Sequence, residues 1–309
     1  MLAAASGSAL AQAFPSKPIR WVVPYAPGGN TDMIARVIGA RMGESLGQPV
    51  VVENRAGAAT LIGSEHVARS APDGYTLLLA TSTTLAINPH LYRKLPYDSV
   101  ADFAPITLIA RVPMVLAVHP SLPVKSVKDL VALARARPGQ IASGHTGVGS
   151  PNYMAAELFK SAAGVLLIDV PYKGSGPAVP ELIGGQIQMM FDNTILAHVR
   201  AGRLRALGHT GEKRMSVAPD VPTMAEAGLP QVVFYSWQGV VAPAKTPPDV
   251  VARLHAEVVR ALQVPEVQSR ITAEGAEILA VGPAEFGGYI RSEIVRFGKV
   301  IRDAGVKPE

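Results

Sequence analysis

Two glycine-containing turns are the parts of this sequence best suited to bind a small anion. The first, Tyr25-Ala26-Pro27-Gly28-Gly29-Asn30, follows a strand-like run from Ile19 to Tyr25 and precedes a helical pattern that starts at Thr31-Asp32. The first N–H groups of a helix have no partner within the helix and carry part of its dipole. Because glycine lets a ligand approach the backbone closely, this turn can bind an anion. Many parallel-sheet proteins make the same turn only for packing.

The second turn repeats this order of features. Thr146-Gly147-Val148-Gly149-Ser150 lies between a short predicted strand, Ile141 to Ser143, and a helical pattern from Asn152 to Ala163. Ser150 is a favourable helix N-cap, and Pro151 is favourable at the first helical position. Ligands of open α/β sheets bind beyond the carboxyl ends of the strands. One such turn in each of two sheets would therefore hold a ligand between them.

Further polar residues follow predicted strands on the same side. Ser82, Thr83 and Thr84 come after the strand Thr76 to Ala80, and Asp192 ends the strand Ile187 to Phe191. Asp192 either accepts a hydrogen bond from a ligand or holds a loop amide. His145 lies beside the second turn, where it either contacts a ligand or packs.

The sequence contains no recognisable catalytic or metal-binding pattern. It has no cysteine, and its seven histidines are dispersed without metal-ligand spacing. Gly147-x-Gly149 lacks the third glycine of a dinucleotide fingerprint, and Gly211-Glu212-Lys213-Arg214 lacks the phosphate-loop spacing. We therefore predict no catalytic residue, no metal and no cofactor.

The length and the charge of the chain limit the classes of protein and partner that remain possible. The chain has 309 residues, enough for two domains, and its net charge of +5 comes from dispersed basic residues. Without a basic patch interleaved with aromatic residues, nucleic acid is not an expected partner. No apolar segment is long enough to span a bilayer, so a soluble mature protein is predicted. Residues 1–13, with Ala11-Gln12-Ala13 before Phe14, resemble the end of a signal peptide that lacks its basic region; an N-terminal extension is the alternative.

Strands alternate with helices over most of the chain, which predicts an α/β fold with parallel sheets. The alternation breaks near 112–123 and again near 235–243, and a helical C-terminal segment follows the second break. We expect this segment to pack back on the first unit, so that the chain crosses between the units twice. The predicted lobes are 14–118 plus 243–309 for lobe 1 and 119–242 for lobe 2.

A set of short motifs resembles one known family. They are Phe14-Pro15-Ser16-Lys17-Pro18-Ile19-Arg20 leading to Pro27-Gly28-Gly29-x-x-Asp32, Val52-Glu53-Asn54-Arg55-x-Gly57, Pro72-Asp73-Gly74-Tyr75-Thr76, Asn88-Pro89-x-Leu91-Tyr92, Val170-Pro171-Tyr172-Lys173-Gly174-Ser175-x-Pro177-Ala178, Gly184-Gly185-Gln186-x-x-x-Met190-Phe191-Asp192 and Pro219-Asp220-Val221-Pro222-Thr223. Together they resemble the substrate-binding receptors of tripartite tricarboxylate transporters, the Bug family. The match runs from about residue 14 to the C-terminus.

The resemblance implies a periplasmic binding protein of type II with two Rossmann-like lobes and a ligand cleft between them. It implies a monomer that captures a small carboxylate and delivers it to membrane permease subunits. The ligand-binding residues that follow from the turns, the strand ends and the resemblance are Tyr25, Ala26, Pro27, Gly28, Gly29, Asn30, Ser82, Thr83, Thr84, Thr146, Gly147, Val148, Gly149, Ser150 and Asp192. Thr31 and Asp32 are expected to cap the first helix rather than contact the ligand.

One position departs from the family pattern. Many relatives have a histidine at or near the position of Tyr153, where a tyrosine narrows the pocket, favours an aromatic ligand or faces the core. Two other functions stay open at this point. The protein could be an orphan receptor that serves a signalling partner, or a two-domain enzyme that acts on an anionic substrate; the lack of a nucleophile–base pair argues against the enzyme.

Overall fold

The computed structural model describes residues 14–308, which form two β-sheets with helices packed on them. Residues 1–13, the predicted signal-peptide remnant, lie outside the described residues. Within residues 14–308, none of the helices combines the length and the apolar character needed to cross a membrane.

Eleven strands in the described residues build the two sheets. In chain order they are β1 (Ile19–Val23), β2 (Val50–Asn54), β3 (Thr76–Thr81), β4 (Phe103–Pro113), β5 (Val115–Val118), β6 (Ala142–His145), β7 (Ile168–Pro171), β8 (Met189–Asp192), β9 (Arg205–His209), β10 (Tyr235–Pro243) and β11 (Glu277–Val281).

The helices lie between these strands and after them. They are α1 (Asn30–Leu46), α2 (Leu61–Ala68), α3 (Asn88–Leu91), α4 (Val127–Ala136), α5 (Pro151–Ala163), α6 (Ser175–Ile183), α7 (Leu196–Arg200), α8 (Pro248–Leu262), α9 (Pro265–Thr272) and α10 (Pro283–Asp303). A 3₁₀ turn (Ala58–Thr60) precedes α2, and a π-helical segment (Thr83–Ile87) follows β3.

Both sheets are mixed. The first has the order β11-β4-β10-β3-β1-β2, in which β1 pairs in parallel with β2 and β3, and β10 runs antiparallel between β3 and β4. The second has the order β7-β6-β8-β5-β9, in which β6 pairs in parallel with β7 and β8. The parallel strands of each sheet end at one edge, where the two predicted glycine turns lie.

Large apolar side chains hold the helices on the first sheet. Trp21 and Trp237 are fully buried, and the Trp237 ring contacts Phe286 of α10 edge to face at 5.8 Å between ring centroids. Because helices cover both faces of the sheet, its inner strands are continuous runs of apolar residues and do not alternate between apolar and polar residues. The C-terminal helix α10 therefore packs on the first lobe, as the sequence predicted.

The chain crosses between the sheets at two adjacent places. Met114 joins β4 to β5, and residues 210–234 join β9 to β10. Thr210 ties the crossings together: its Oγ1 accepts from the Met114 N–H at 2.9 Å and donates to the Phe234 carbonyl at 2.6 Å. We propose that this pair of crossings is the hinge.

The sheet pairing shifts the lobe boundaries that the sequence predicted. Divisions at 118 and 242 would place β5 in lobe 1 and β10 in lobe 2, whereas β5 pairs with β8 and β9, and β10 pairs with β3 and β4. Apolar runs around a proline do not reveal which sheet a strand joins. We therefore propose lobe 1 as residues 14–113 plus 235–308 and lobe 2 as residues 114–234.

Candidate functional site

The first glycine turn is held from within by a buried carboxylate. Asp32 accepts hydrogen bonds from the Gly28 N–H at 3.0 Å, from Arg36 Nε at 2.9 Å and from Asn54 Nδ2 at 2.9 Å. Burial alone would raise the pKa of Asp32, but the bonds from Arg36, Gly28 and Asn54 outweigh it and lower the pKa to about 2. Asp32 is therefore ionised, and the N–H of Gly28 already has a partner.

Helix α1 begins at Asn30, one residue before the predicted start. Its N-cap is Gly29, with φ −80° and no side-chain cap. A Cβ built on Gly29 meets no heavy atom within 4 Å. This glycine is thus neither in the left-handed region nor in close contact with the rest of the protein.

The second turn is built as the sequence predicted. Ser150 is the N-cap of α5 and accepts from the Tyr153 N–H at 3.3 Å, and Pro151 occupies the first turn of the helix. The Gly147 N–H donates to Nδ1 of His145 at 3.2 Å. His145 is thus buried behind the turn and holds it.

Gly149 is the point at which the second turn meets the first lobe. Its φ is +77°, and a Cβ built there would lie 2.2 Å from Cδ1 of Leu91 and 3.4 Å from Cγ2 of Ile87. Both of these side chains belong to the segment after β3. A glycine is required at position 149 because of both its conformation and its neighbours.

A cavity of about 330 Å³ lies between the two lobes at the ends of the strands. Its wall is formed by Pro24, Tyr25, Ala26, Ala56, Gly57, Ala59, Thr60, Thr83, Thr146, Val148, Ser150, Pro151, Lys173 and Gly174. Six of these were predicted as ligand-binding residues: Tyr25, Ala26, Thr83, Thr146, Val148 and Ser150. Both lobes contribute to the wall, so a molecule in the cavity would contact both.

The other predicted residues do not line this cavity: Pro27, Gly28, Gly29, Asn30, Ser82, Thr84, Gly147, Gly149 and Asp192. Ser82 and Thr84 are fully buried beneath it, and Thr84 Oγ1 lies 3.1 Å from Thr81 Oγ1. Thr81 Oγ1 is also 2.9 Å from the hydroxyl of Tyr25. The hydroxyls of Thr81 and Thr84 therefore fix Tyr25, which reaches the cavity itself.

Asp192 is buried and bonded within the protein. One carboxylate oxygen accepts from Asn152 Nδ2 at 2.7 Å and from Ser175 Oγ at 2.5 Å. The other accepts from the N–H of Thr194 at 2.7 Å and from its hydroxyl at 2.6 Å. Asp192 thus joins the first turns of α5 and α6 to the end of β8, the loop role that the sequence left open.

Eight residues of the cavity wall were absent from the predicted site. Four of them, Ala56, Gly57, Ala59 and Thr60, lie in or just after the Asn54-Arg55-x-Gly57 motif. Lys173 and Gly174 lie before α6, and the other two are Pro24 and Pro151. Lys173 is exposed, and it carries the one charged side chain among the residues of this wall. The motifs that contain both segments were visible in the sequence, but nothing in them indicated which side faces a ligand.

Tyr153 faces the core. It is buried, and its ring packs on the His145 ring with 5.0 Å between centroids. Burial, followed by the charge of Glu157, raises its pKa, so the phenol is neutral. The tyrosine is therefore not part of the cavity wall.

His145 and His209 end strands of lobe 2 in the same way. Each accepts, at Nδ1, the N–H of the glycine two residues later: Gly147 at 3.2 Å and Gly211 at 3.1 Å. Burial lowers the pKa of both, and that of His209 to about 4. Both imidazoles are therefore neutral acceptors at neutral pH.

The lowered pKa of His209 predicts an acid-sensitive fold. Since the unfolded histidine titrates near 6.5, the stabilisation is complete above pH 6.5 and is lost as the pH falls from 6.5 towards 4. We expect His209 to account for a loss of about 2 kcal/mol in unfolding free energy at pH 5. Denaturant unfolding between pH 7.5 and 5 measures this. In His209→Asn, whose amide oxygen can accept the same N–H, the pH slope should be smaller; an unchanged slope would contradict the assignment.

A second groove, of about 380 Å³, lies between α5 and α10. Its charged side chains already have partners: Arg296 pairs with Glu293, and Lys299 with Asp303. Glu157 pairs with Lys160. None of the residues that line the groove directly follows the carboxyl end of a strand. In the part of the chain that the structure describes, no cluster of His, Cys, Asp and Glu could hold a metal ion. The cavity between the lobes is therefore the candidate binding site.

Two α/β lobes joined by a double crossing, with a cavity between them at the strand ends, define the class of two-lobed solute-binding receptors. The family model described as "Tripartite tricarboxylate transporter family receptor" (TctC) matches residues 34–306. The chain belongs to this family of periplasmic receptors.

Individual relatives agree with this assignment. Protein BugT of Bordetella pertussis is 41% identical over 300 residues, which cover 96% of this chain and 92% of BugT. The solved structure of R. palustris Rpa4515 with adipate is 38% identical, has a TM-score of 0.88, and is matched over 96% of this chain and 100% of its own. MatC from Rhodopseudomonas palustris with bound malate is 34% identical, with a TM-score of 0.84 over 93% of this chain and 100% of MatC.

Proposed function

We propose that this protein is a periplasmic receptor that binds a small carboxylate in the cavity between its lobes. The observation that carries the proposal is the composition of the cavity wall. Residues with hydroxyl groups, one lysine, glycines and small apolar residues line it, and no Asp or Glu is present among its described residues. Such a wall attracts an anion without a metal. Its volume of about 330 Å³ is suited to a small metabolite rather than to a polymer.

The related structures support this choice of ligand. Rpa4515 is described with adipate and MatC with malate, and both are carboxylates. Helix α5 begins at the cavity with Ser150 and Pro151, and α6 begins there after Gly174. Each helix N-terminus stabilises an anion by about 0.3–1 kcal/mol, and by up to about 2 kcal/mol when partly buried.

We further propose that the receptor delivers its ligand to the membrane subunits of a tripartite tricarboxylate transporter. The description of the family supports this partner. One chain supplies both lobes and every part of the cavity wall, so a monomer is sufficient for binding.

Identification of the bound molecule tests the carboxylate. The purified protein should release a small carboxylate on denaturation, detected by mass spectrometry, and the stripped protein should bind adipate or malate with one site per chain by calorimetry. The ligand should be recovered unchanged after long incubation. Chemical turnover of the ligand, or the absence of binding by both acids and by any released molecule, would contradict the proposal.

Lys173 should contribute a salt-dependent part of the affinity. We expect Lys173→Gln to weaken binding of the carboxylate about three- to tenfold at low ionic strength, because the variant loses the one cation of the cavity wall. The difference should shrink in 0.5 M salt, since Lys173 is exposed and screening is strong there. The matched control is Lys128→Gln, an exposed lysine on α4. Equal losses of affinity in both variants would indicate that Lys173 acts through the general positive field of the protein rather than through a contact with the carboxylate.

A further inference from the structure

A side-chain hydrogen bond joins the two sheets beside the Met114 crossing. Asn193 directly follows β8 of the second sheet, and Glu274 lies shortly before β11 of the first. The Asn193 Nδ2 donates to Oε2 of Glu274 at 2.7 Å. Strand β8 pairs with β5 and β11 pairs with β4, and β4 and β5 are the strands that Met114 joins. The bond therefore spans the two lobes close to the proposed hinge.

The backbone next to Glu274 also contacts the second lobe. Gly275 has φ +84°, and a Cβ built there would lie 2.8 Å from Sδ of Met215 and 3.3 Å from Cγ2 of Val217. Met215 is buried in the apolar core of the second lobe. Glycine suits position 275 because of both its φ and these neighbours. The segment between α9 and β11 is thus held against lobe 2 by packing as well as by the hydrogen bond.

Glu274 is half-buried and lies in the field of a second carboxylate. Burial, followed by the negative charge of Asp192, raises the pKa of Glu274, and the bond from Asn193 partly offsets this rise. A carboxylate withdrawn from water is unfavourable unless a donor replaces the water. Loss of the Asn193 amide would therefore leave Glu274 without this donor and still near Asp192.

Asn193 belongs to the loop that organises the lobe 2 wall of the cavity. Its neighbour Asp192 accepts hydrogen bonds from Asn152 and Ser175, in the first turns of α5 and α6. Asn152 in turn accepts from the hydroxyl of Thr146 at 2.7 Å, and Thr146 lines the cavity. A displacement of this loop relative to lobe 1 would therefore carry the lobe 2 wall with it.

We propose that Asn193 and Glu274 are positioning residues of the carboxylate site, whose bond fixes the angle between the lobes at which both walls of the cavity contact the ligand. Neither residue lines the cavity. The inference rests on the proposed function and adds a determinant of affinity to it. Since a hydrogen bond is lost beyond about 3.5 Å, an opening of about 1 Å at this point breaks it. The bond should therefore slow release of the ligand and leave its capture unchanged.

A double-mutant cycle tests the coupling, with adipate as the probe, or malate if only malate binds. Asn193→Ala and Glu274→Ala should each weaken binding about tenfold by calorimetry, because a bond to a charged acceptor is lost. Asn193→Ala should be the weaker binder of the two, since it leaves Glu274 without its donor. The double variant should be no weaker than Asn193→Ala, because the two residues act through one bond. One site per chain should remain in every variant, which excludes partial unfolding as the cause.

The rate of release separates positioning from a general loss of structure. Radiolabelled acid, chased with an excess of unlabelled acid, should leave each alanine variant about tenfold faster than the wild type, while the association rate stays within about twofold. Glu274→Gln keeps an acceptor for Asn193 and loses the repulsion from Asp192, so its affinity should stay within about threefold of the wild type. The matched control is Glu285→Ala, which removes an exposed glutamate of the same lobe and should behave as the wild type.

Wild-type affinity and release rate in both alanine variants would overturn the inference while leaving carboxylate binding intact. Losses that add fully in the double variant would overturn it too, as would a Glu274→Gln variant that binds as poorly as Glu274→Ala. A wild-type protein that binds neither adipate nor malate would contradict the proposed function itself, and the inference with it.

Discussion

Replacing Gly149 by alanine is expected to weaken carboxylate binding about 30-fold, or by about 2 kcal/mol. The new Cβ would lie 2.2 Å from Leu91 Cδ1 in the first lobe, and the backbone at φ +77° disfavours any L side chain. Because Leu91 is buried in the core, we expect the second turn rather than the leucine to move, which opens the cleft. Calorimetric titration with adipate measures the affinity, and small-angle scattering with saturating ligand should show a larger radius of gyration than the wild type.

Gly29→Ser is the matched control in the other turn. Gly29 has φ −80°, an added Cβ meets nothing within 4 Å, and serine is a preferred N-cap. The stability of the Gly29→Ser variant should be unchanged or higher, and its affinity for adipate should stay within about twofold of the wild type. If Gly149→Ala binds as tightly as the wild type, the contact with Leu91 does not control closure. If Gly29→Ser loses affinity, the first turn contacts the ligand after all.

Replacing Asp192 by alanine should destabilise the protein by about 3 kcal/mol or more. Four donors, from Asn152, Ser175 and Thr194, lose their acceptor inside the protein. Unpaired buried donors cost about 1–3 kcal/mol each, and bonds to a charged acceptor are stronger than neutral ones. Denaturant unfolding without ligand measures the loss. Because Asp192 joins the starts of α5 and α6, affinity should fall as well.

Asp220→Ala is the control for this effect. Asp220 is exposed, and surface substitutions usually change the unfolding free energy by no more than about 0.5 kcal/mol. Asp192→Asn should fall between the two, since an amide keeps one acceptor and loses the other. A normal stability of Asp192→Ala combined with lost binding would instead assign Asp192 to the ligand.

Local sequence signals were sufficient to predict most of the elements and one turn. The cap at Ser150 with Pro151 depends on neighbouring residues alone, and it occurs as predicted. The predicted helix Pro248–Leu262 matches α8 because its apolar face repeats with the helical period. The helix α9 and the strand β11 were not predicted. In the half-buried edge strand Glu277–Val281, apolar and polar residues do not clearly alternate.

Side-chain contacts, some local and some distant in sequence, decided which groups face the cavity. A glycine turn before a helix offers free N–H groups in principle, but Asp32 takes that of Gly28. Asp192 is bonded to residues 17 and 40 positions away.

The sequence by itself determined the family, the two α/β units and the positions of the two turns, because these follow from periodicity, capping and local motifs. The tertiary structure decided that β5 and β10 belong to the other sheet than predicted and that Tyr153 faces the core. It also decided that Ala59, Thr60 and Lys173 border the cavity. Alanine rarely adopts positive φ, so nothing local in Ala58-Ala59 predicts a left-handed turn. In the folded chain Asn88, 29 residues away from Ala59, donates a hydrogen bond to the carbonyl of this turn.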